Sequence, residues 1–100
     1  MTEDQFLTRI IDAAQLLGWH VHHCRPARTA DGRWRTPVQG NPGFPDLVLA
    51  RNGVVIIAEV KTDRGRLTED QRGWLDALHD TARVWRPAGW EQILIELGGA

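Results

Sequence analysis

Two short segments of the chain carry residues whose types and spacing suit chemistry on a bound substrate. Residues 43–47 read Gly-Phe-Pro-Asp-Leu, and residues 58–62 read Ala-Glu-Val-Lys-Thr. Glu59 and Lys61 are two residues apart, so on a strand they project from the same face. Carboxylates are the ligands that Mg²⁺ or Mn²⁺ prefers, and a lysine beside them supplies a compact positive charge or a proton acceptor.

A predicted hairpin brings the carboxylates of the two segments together. Asn52-Gly53 between two apolar runs is a strong signal for a two-residue turn. Counting back from that turn places Asp46 opposite Glu59, with Cβ atoms about 4.5–5.5 Å apart. Two carboxylates at that separation repel each other unless a cation lies between them. The alternative is that Asp46 is a turn residue after Pro45, and that Glu59 and Lys61 form a solvated strand end.

The elements that must position these residues follow from the apolar pattern. Helices are predicted over residues 2–17 and 68–79, and each begins with a Thr-x-x-Gln capping box. Strands are predicted over residues 19–24, 46–50, 54–61 and 82–86, and residues 90–97 form a final helix or strand. The segment 25–45 is rich in proline and glycine and is predicted to be a long loop, or a ragged strand between loops. This order predicts an α/β domain with a mixed sheet flanked by helices.

Length and composition fit a single domain over residues 1–100. One cysteine, Cys24, excludes an internal disulfide. No apolar run reaches the ~18 residues of a membrane span, and the acidic first residues do not resemble a signal peptide. These features predict a soluble, cytoplasmic protein. The formal net charge of −1 gives no general reason for a polyanionic partner, although local charge decides such contacts.

Positive charge is concentrated in two segments. Residues 25–35 hold four arginines against one acid, and residues 61–66 hold three bases against Asp63. We predict that these segments bind DNA phosphates, with Trp34 either stacking on a base or sugar or simply anchoring the loop. The predicted DNA-binding residues are Arg25, Arg28, Arg33, Trp34, Arg35, Arg64 and Arg66. Lys61 is the one lysine among 12 bases, which favours a specific role over chance composition only modestly.

Three further features have competing interpretations. His20, His22 and Cys24 alternate along one predicted strand, but no second Cys or His pair has zinc-ligand spacing, so a polar, partly exposed strand face is favoured over a zinc site. Glu3 and Gln71 lie on the apolar faces of the two predicted helices, within their first turns. Each is either an ordinary helix-start residue or close enough to reach a metal site.

The two segments resemble the split Pro-Asp…(Asp/Glu)-x-Lys motif of the restriction-endonuclease-like nucleases. Residues 65–75, Gly-Arg-Leu-Thr-x-x-Gln-x-x-Trp-Leu, resemble the virus-type replication-repair nuclease domain, VRR-Nuc, of that superfamily. With the helix that carries Glu3, the resemblance extends from Glu3 to about Trp85. It implies an α-β-β-β-α-β restriction-endonuclease-like core and Mg²⁺- or Mn²⁺-dependent hydrolysis of phosphodiester bonds.

The resemblance also implies roles for individual residues. It assigns Asp46 and Glu59 as metal ligands, the Val60 carbonyl as a backbone ligand and Glu3 as a further acidic ligand. Lys61 handles the attacking water, and Gln71 is an active-site residue.

By analogy with stand-alone members of the family, the expected substrate is structured or branched DNA, as for Holliday-junction resolvases, and the expected origin is bacterial or phage. Because so small a domain offers little surface for a branched substrate, we expect a homodimer that presents two sites to two strands. The alternatives are a non-cleaving DNA-binding module that uses residues 25–35 with a partner, and a small structural protein.

Overall fold

The computed structural model describes residues 1–23, 27–28, 34–35 and 39–98, and for residues 27–28 and 34–35 it describes the backbone alone. The helices are α1 (Glu3–Leu16), α2 (Glu69–Leu78) and α3 (Trp90–Glu96). The strands are β1 (His20–His23), β2 (Ala27–Arg28), β3 (Trp34–Arg35), β4 (Leu47–Arg51), β5 (Val54–Val60) and β6 (Ala82–Trp85). Short 3₁₀ turns precede β6 and α3.

Four strands form one sheet in the order β1-β4-β5-β6. β4 pairs antiparallel with β1 and β5, while β6 pairs parallel with β5 after the α2 crossover. The mixed sheet and the predicted α-β-β-β-α-β order, formed by α1, β1, β4, β5, α2 and β6, are therefore confirmed. The chain adds a final helix, α3, and a short antiparallel pair, β2–β3, where the sequence predicts a loop or a ragged strand.

Both long helices begin as their sequences predict. At α1 the Gln5 backbone N–H donates to Thr2 Oγ1 at 3.1 Å, and the Thr2 N–H donates to Gln5 Oε1 at 2.8 Å. These reciprocal bonds satisfy donors that a helix start otherwise leaves unpaired. The apolar side chains one helical turn apart, Phe6, Ile10 and Ala14, are buried, so α1 presents that face to the sheet.

The hydrophobic core lies on one face of the sheet. Alternate residues of β4 and β5 are buried there, and they pack with side chains from α1, α3 and β6: Phe6, Ile10, Ala14, Trp19, Leu47, Leu49, Ile56, Ala58, Val60, Trp85, Ile93 and Leu97. The intervening residues of β4, Val48 and Ala50, are only half-buried on the opposite face. In α2, which contacts β6, no residue is fully buried. On this second face the described side chains of β4 and β5 are therefore less buried than those of the core, with the exception of Glu59.

The chain just before β4 is fixed against α2. Gly43 has φ +91°, and a Cβ placed on it would lie 2.6 Å from the backbone carbonyl carbon of Asp70. The Trp74 indole N–H donates to the Asn41 carbonyl at 3.1 Å, and the Trp74 ring meets Phe44 edge-on with centroids 4.9 Å apart. The helix thus holds the segment that delivers Asp46 to the sheet.

We expect Gly43→Ala to destabilise the fold more than Gly40→Ala. Both glycines have positive φ, so each alanine carries a backbone cost of about 1–2 kcal/mol. Only Gly43 lies against another backbone, whereas no atom lies within 4 Å of the Cβ position at Gly40. Separating the Gly43 segment from α2 should add about 1–3 kcal/mol, measured as the free energy of unfolding in urea. Equal losses in the two variants would contradict this close approach.

Candidate functional site

The β4–β5 hairpin has the register predicted from the Asn52-Gly53 turn. Its last pair is Leu47 opposite Ala58, so the next residues, Asp46 and Glu59, face each other at the strand end. The backbone N–H of Val60 donates to Asp46 Oδ2 at 2.8 Å, which fixes this carboxylate across the gap between the strands. Glu59 is 2% exposed, while Asp46 and Lys61 are half-buried. The structure therefore brings two carboxylates and a lysine to one edge of the sheet.

The electrostatic environment of this site strongly raises the pKa of Glu59. Burial, a hydrogen bond to the Asp46 carboxyl and repulsion by that carboxylate raise the pKa of Glu59 from 4.5 to about 8. The positive charge of Lys61 lowers this pKa, and the negative charge of Glu3 raises it. In the part of the chain described, Glu59 Oε2 is buried and has no hydrogen-bond partner. An acceptor oxygen in that position is costly unless a proton or a cation satisfies it.

This donor set fits a hard divalent cation. Two opposed carboxylates offer oxygen ligands, and the partnerless Oε2 is the atom that gains most from a cation. Among the described residues, no group of three or more His, Cys, Asp or Glu side chains converges as a metal cluster. Asp46 and Glu59 are therefore the two side-chain ligands that the structure brings together, and backbone oxygens, water and the predicted ligand Glu3 would complete the shell.

Glu3 and Gln71 occupy different positions from the inward-facing ones that the apolar pattern suggests. Glu3 is exposed at the start of α1, close enough to raise the Glu59 pKa by repulsion. Gln71 is half-buried, and its Oε1 accepts the Thr68 N–H at 2.9 Å while its own N–H donates to Thr68 Oγ1 at 3.1 Å. The side chain of Gln71 thus completes the cap of α2. A metal-ligand role for Glu3 and an active-site role for Gln71 stay predictions.

The loop after β5 is anchored by contacts that the sequence does not reveal. Arg86 Nη1 donates to the carbonyls of Thr62 and Gly65 at 2.6 and 2.7 Å. The Ala88 N–H donates to Asp63 Oδ1 at 2.8 Å. These bonds fasten the loop to the end of β6, and the Lys61 N–H extends the parallel ladder to Trp85 O at 3.0 Å. No local pattern marks Arg86, because its partners lie more than 20 residues away.

The predicted DNA-binding residues fall into three groups: those whose side chains the structure describes, those with the backbone alone described, and those outside the described residues. Arg64 and Arg66 are exposed on the anchored loop. Arg25 and Arg33 lie outside the described residues. Arg28, Trp34 and Arg35 belong to β2 and β3, where the backbone alone is described, so their contacts with DNA stay predictions.

The alternating His/Cys segment is described only in part. His20 and His22 are exposed on β1, as the favoured interpretation of a polar strand face predicts. Cys24 lies outside the described residues.

The four-stranded mixed sheet with its helices is consistent with a nuclease-like α/β fold. The family model of the VRR-NUC domain matches residues 7–85. The chain therefore belongs to the VRR-NUC domain family, a family of nucleases. The matched span contains Asp46, Glu59, Lys61 and Gln71 but begins after Glu3.

Neither the curated proteins nor the solved structures include a match to this chain. Within the described ranges, no helix is long and apolar enough to cross a membrane.

Without divalent cations, the free energy of unfolding should decrease as pH rises from about 4.5 to about 8. Over this range the folded chain holds a proton on Glu59 that the unfolded chain has released, so raising the pH favours unfolding. The contribution is complete below the unfolded pKa and lost above the folded one, with a total on the order of a few kcal/mol. Urea unfolding with EDTA at a series of pH values measures it.

Glu59→Gln should flatten this pH dependence, because the amide does not titrate. Glu91→Gln, which changes an exposed carboxylate on α3, is the matched control and should leave the dependence as in the unmodified protein. A Glu59→Gln profile that runs parallel to the unmodified one would show that Glu59 does not hold the proton.

Proposed function

We propose that this protein is a metal-dependent endonuclease that hydrolyses phosphodiester bonds in DNA. The observation that carries the proposal is the buried Glu59 carboxyl, with a partnerless Oε2, facing Asp46 next to Lys61. A structural role explains these features poorly, because two opposed, partly desolvated carboxylates destabilise the hairpin that holds them.

Asp46 and Glu59 would hold Mg²⁺ or Mn²⁺, with the Val60 carbonyl as a backbone ligand and Glu3 as a further acidic ligand at the exposed start of α1. Such an ion supplies Lewis acidity that activates water and offsets the negative charge that develops on the phosphate. The chain's own contribution is to fix the ligands. The Val60 N–H orients Asp46 through the bond to Oδ2, and the hairpin register keeps Glu59 opposite it.

Lys61 would orient the attacking water, accept its proton or stabilise charge on the phosphate. Its backbone is held in the ladder with β6, and the next loop is fastened by Arg86. The Lys61 side chain therefore extends from a fixed backbone position, two residues from Glu59. Gln71 begins the neighbouring helix, where an amide is suited to hydrogen-bond a water or a phosphate oxygen.

Basic side chains around the site would bind the DNA backbone. Arg64 and Arg66 are exposed on the anchored loop next to Lys61, and the 25–35 segment adds four arginines and Trp34. The substrate that we propose is structured or branched DNA, cut by a homodimer whose two sites reach two strands. Both of these finer points rest on the family analogy and on the small size of the domain.

The decisive experiment is a cleavage assay on linear, flapped, splayed and four-way DNA in Mg²⁺, Mn²⁺ or EDTA. We expect cleavage with either cation and none in EDTA. Asp46→Asn and Glu59→Gln should each abolish cleavage and weaken cation binding, measured by calorimetry, while the circular dichroism spectrum is retained. Glu91→Gln is the matched surface control and should cleave normally.

Full cleavage by either carboxylate variant would rule out the assigned site. DNA binding by the unmodified protein without cleavage under any cation would favour the alternative, a binding module that needs a partner. Cleavage of linear duplex as readily as of branched DNA would refute the proposed substrate preference and leave the nuclease assignment in place.

Lys61→Ala should reduce the cleavage rate by at least ~10²-fold, the scale of lost acid–base or electrostatic assistance, and should leave cation binding largely unchanged. Single-turnover kinetics and calorimetry separate these two effects. Lys61→Arg keeps the charge but cannot release a proton at neutral pH. A near-normal rate in Lys61→Arg would show that fixed charge is sufficient and that Lys61 transfers no proton.

A further inference from the structure

An exposed aromatic side chain, Phe44, lies two residues before Asp46 in the segment that leads into β4. Burial alternates along this segment: Pro45, Leu47 and Leu49 are buried towards the core, whereas Phe44 and Asp46 are not. Residues two apart in sequence have Cα atoms at most about 7 Å from each other. Phe44 therefore lies close to Asp46 and to the proposed site.

The position of Phe44 is fixed although its ring is 43% exposed. Its ring meets Trp74 edge-on, with an interplanar angle of 86°, so at most one face of either ring is covered by the other. The segment that carries it is held by the Trp74 bond to Asn41 and by the close approach of Gly43 to α2. A large apolar ring that is rigid and partly bare is suited to stack on a flat ligand.

We propose that Phe44 stacks on an unpaired nucleobase adjacent to the scissile phosphate. The inference rests on the proposed nuclease function, because the proposed site places that phosphate at Asp46 and Glu59, and Phe44 is two residues from Asp46. Every base has a π-face, and stacking on an aromatic side chain is tolerant of sequence. Phe44 thus selects the conformation of the substrate and not its sequence.

The stacking contact sets a requirement on the DNA. Inside an intact duplex both faces of a base are covered by its neighbours, and exposing one costs a few kcal/mol of unstacking. A base at a flap, a branch point or a strand end has already lost part of that stacking. The site should therefore favour DNA in which the base next to the cleaved bond is unpaired, for a reason present in this chain's own residues.

The test measures binding of the full chain to two DNAs of the same sequence in EDTA, where no cleavage is expected. The first DNA is a continuous duplex. The second carries an unpaired fluorescent base, 2-aminopurine, placed in turn at each position around the cleavage site. For the unmodified protein we expect one position at which binding quenches the 2-aminopurine fluorescence by stacking. Phe44→Leu keeps apolar contact with Trp74 but removes the aromatic face, and it should abolish the quenching.

Phe44→Leu should also raise the Kd for the unpaired DNA by about 10-fold, the scale of one lost stack, and change the Kd for the duplex by less than about 2-fold. Phe44→Tyr keeps the ring and should behave as the unmodified protein. Leu16→Ala removes an apolar side chain that is 86% exposed on α1, and it serves as the control for general loss of apolar surface.

Two results would overturn the inference: no quenched position with the unmodified protein, or equal losses on both DNAs in Phe44→Leu. The first does not depend on any variant, so it holds even if Phe44→Leu fails to fold. The nuclease proposal fails separately, if the unmodified protein cleaves no DNA with Mg²⁺ or Mn²⁺. Cleavage with no role for Phe44 would leave that proposal standing.

Discussion

The buried carboxyl of Glu59 opposite Asp46 is the constraint on which the rest of the structure depends. The hairpin register fixes the opposition, and burial removes the water that would otherwise screen it. The pKa of Glu59 rises to about 8 because ionising it means placing a second negative charge beside Asp46 in a poorly hydrated position. This arrangement lowers the stability of the fold, so interactions elsewhere in the small domain must compensate for the loss.

The fold supplies that stability on the opposite face and at the opposite end of the sheet. The core side chains of α1, β4, β5 and α3 lie on the face away from Glu59. At the hairpin end, Arg51 Nη1 donates to the carbonyls of Leu17 and Leu97 and its guanidinium lies over Trp19. These bonds satisfy carbonyls where α1 and α3 end. Near the carboxylates, the chain is held by the hydrogen bonds of Arg86 to two loop carbonyls and by the close backbone approach at Gly43.

The features that could be predicted from the sequence are those determined by interactions between residues close together in the chain. The Asn52-Gly53 turn determines the hairpin register, and the Thr-x-x-Gln pattern determines both helix starts, so these predictions are confirmed. Arg86 and Arg51 could not be predicted as anchors, because their partners are distant in sequence. Nothing in the local sequence distinguishes them from arginines that only face solvent. The apolar periodicity that suggested an inward Glu3 extends the buried face of Phe6 and Ile10 one turn too far, since Glu3 is exposed.

The raised pKa of Glu59 also links the fold to the cation that we propose. Near neutral pH, Glu59 without a cation is mostly protonated, so an ion that binds there must displace a proton, and its affinity should increase with pH. The ion would then take the place of that proton between Glu59 and Asp46, and by mass action it would stabilise the folded chain. A pair that weakens the hairpin when both carboxylates are ionised, and strengthens it with the cation that we propose, would make the stability of this end of the sheet depend on the cation. The contacts of Arg86 and Gly43 involve neither carboxylate, so they would hold the surrounding loops with or without the cation.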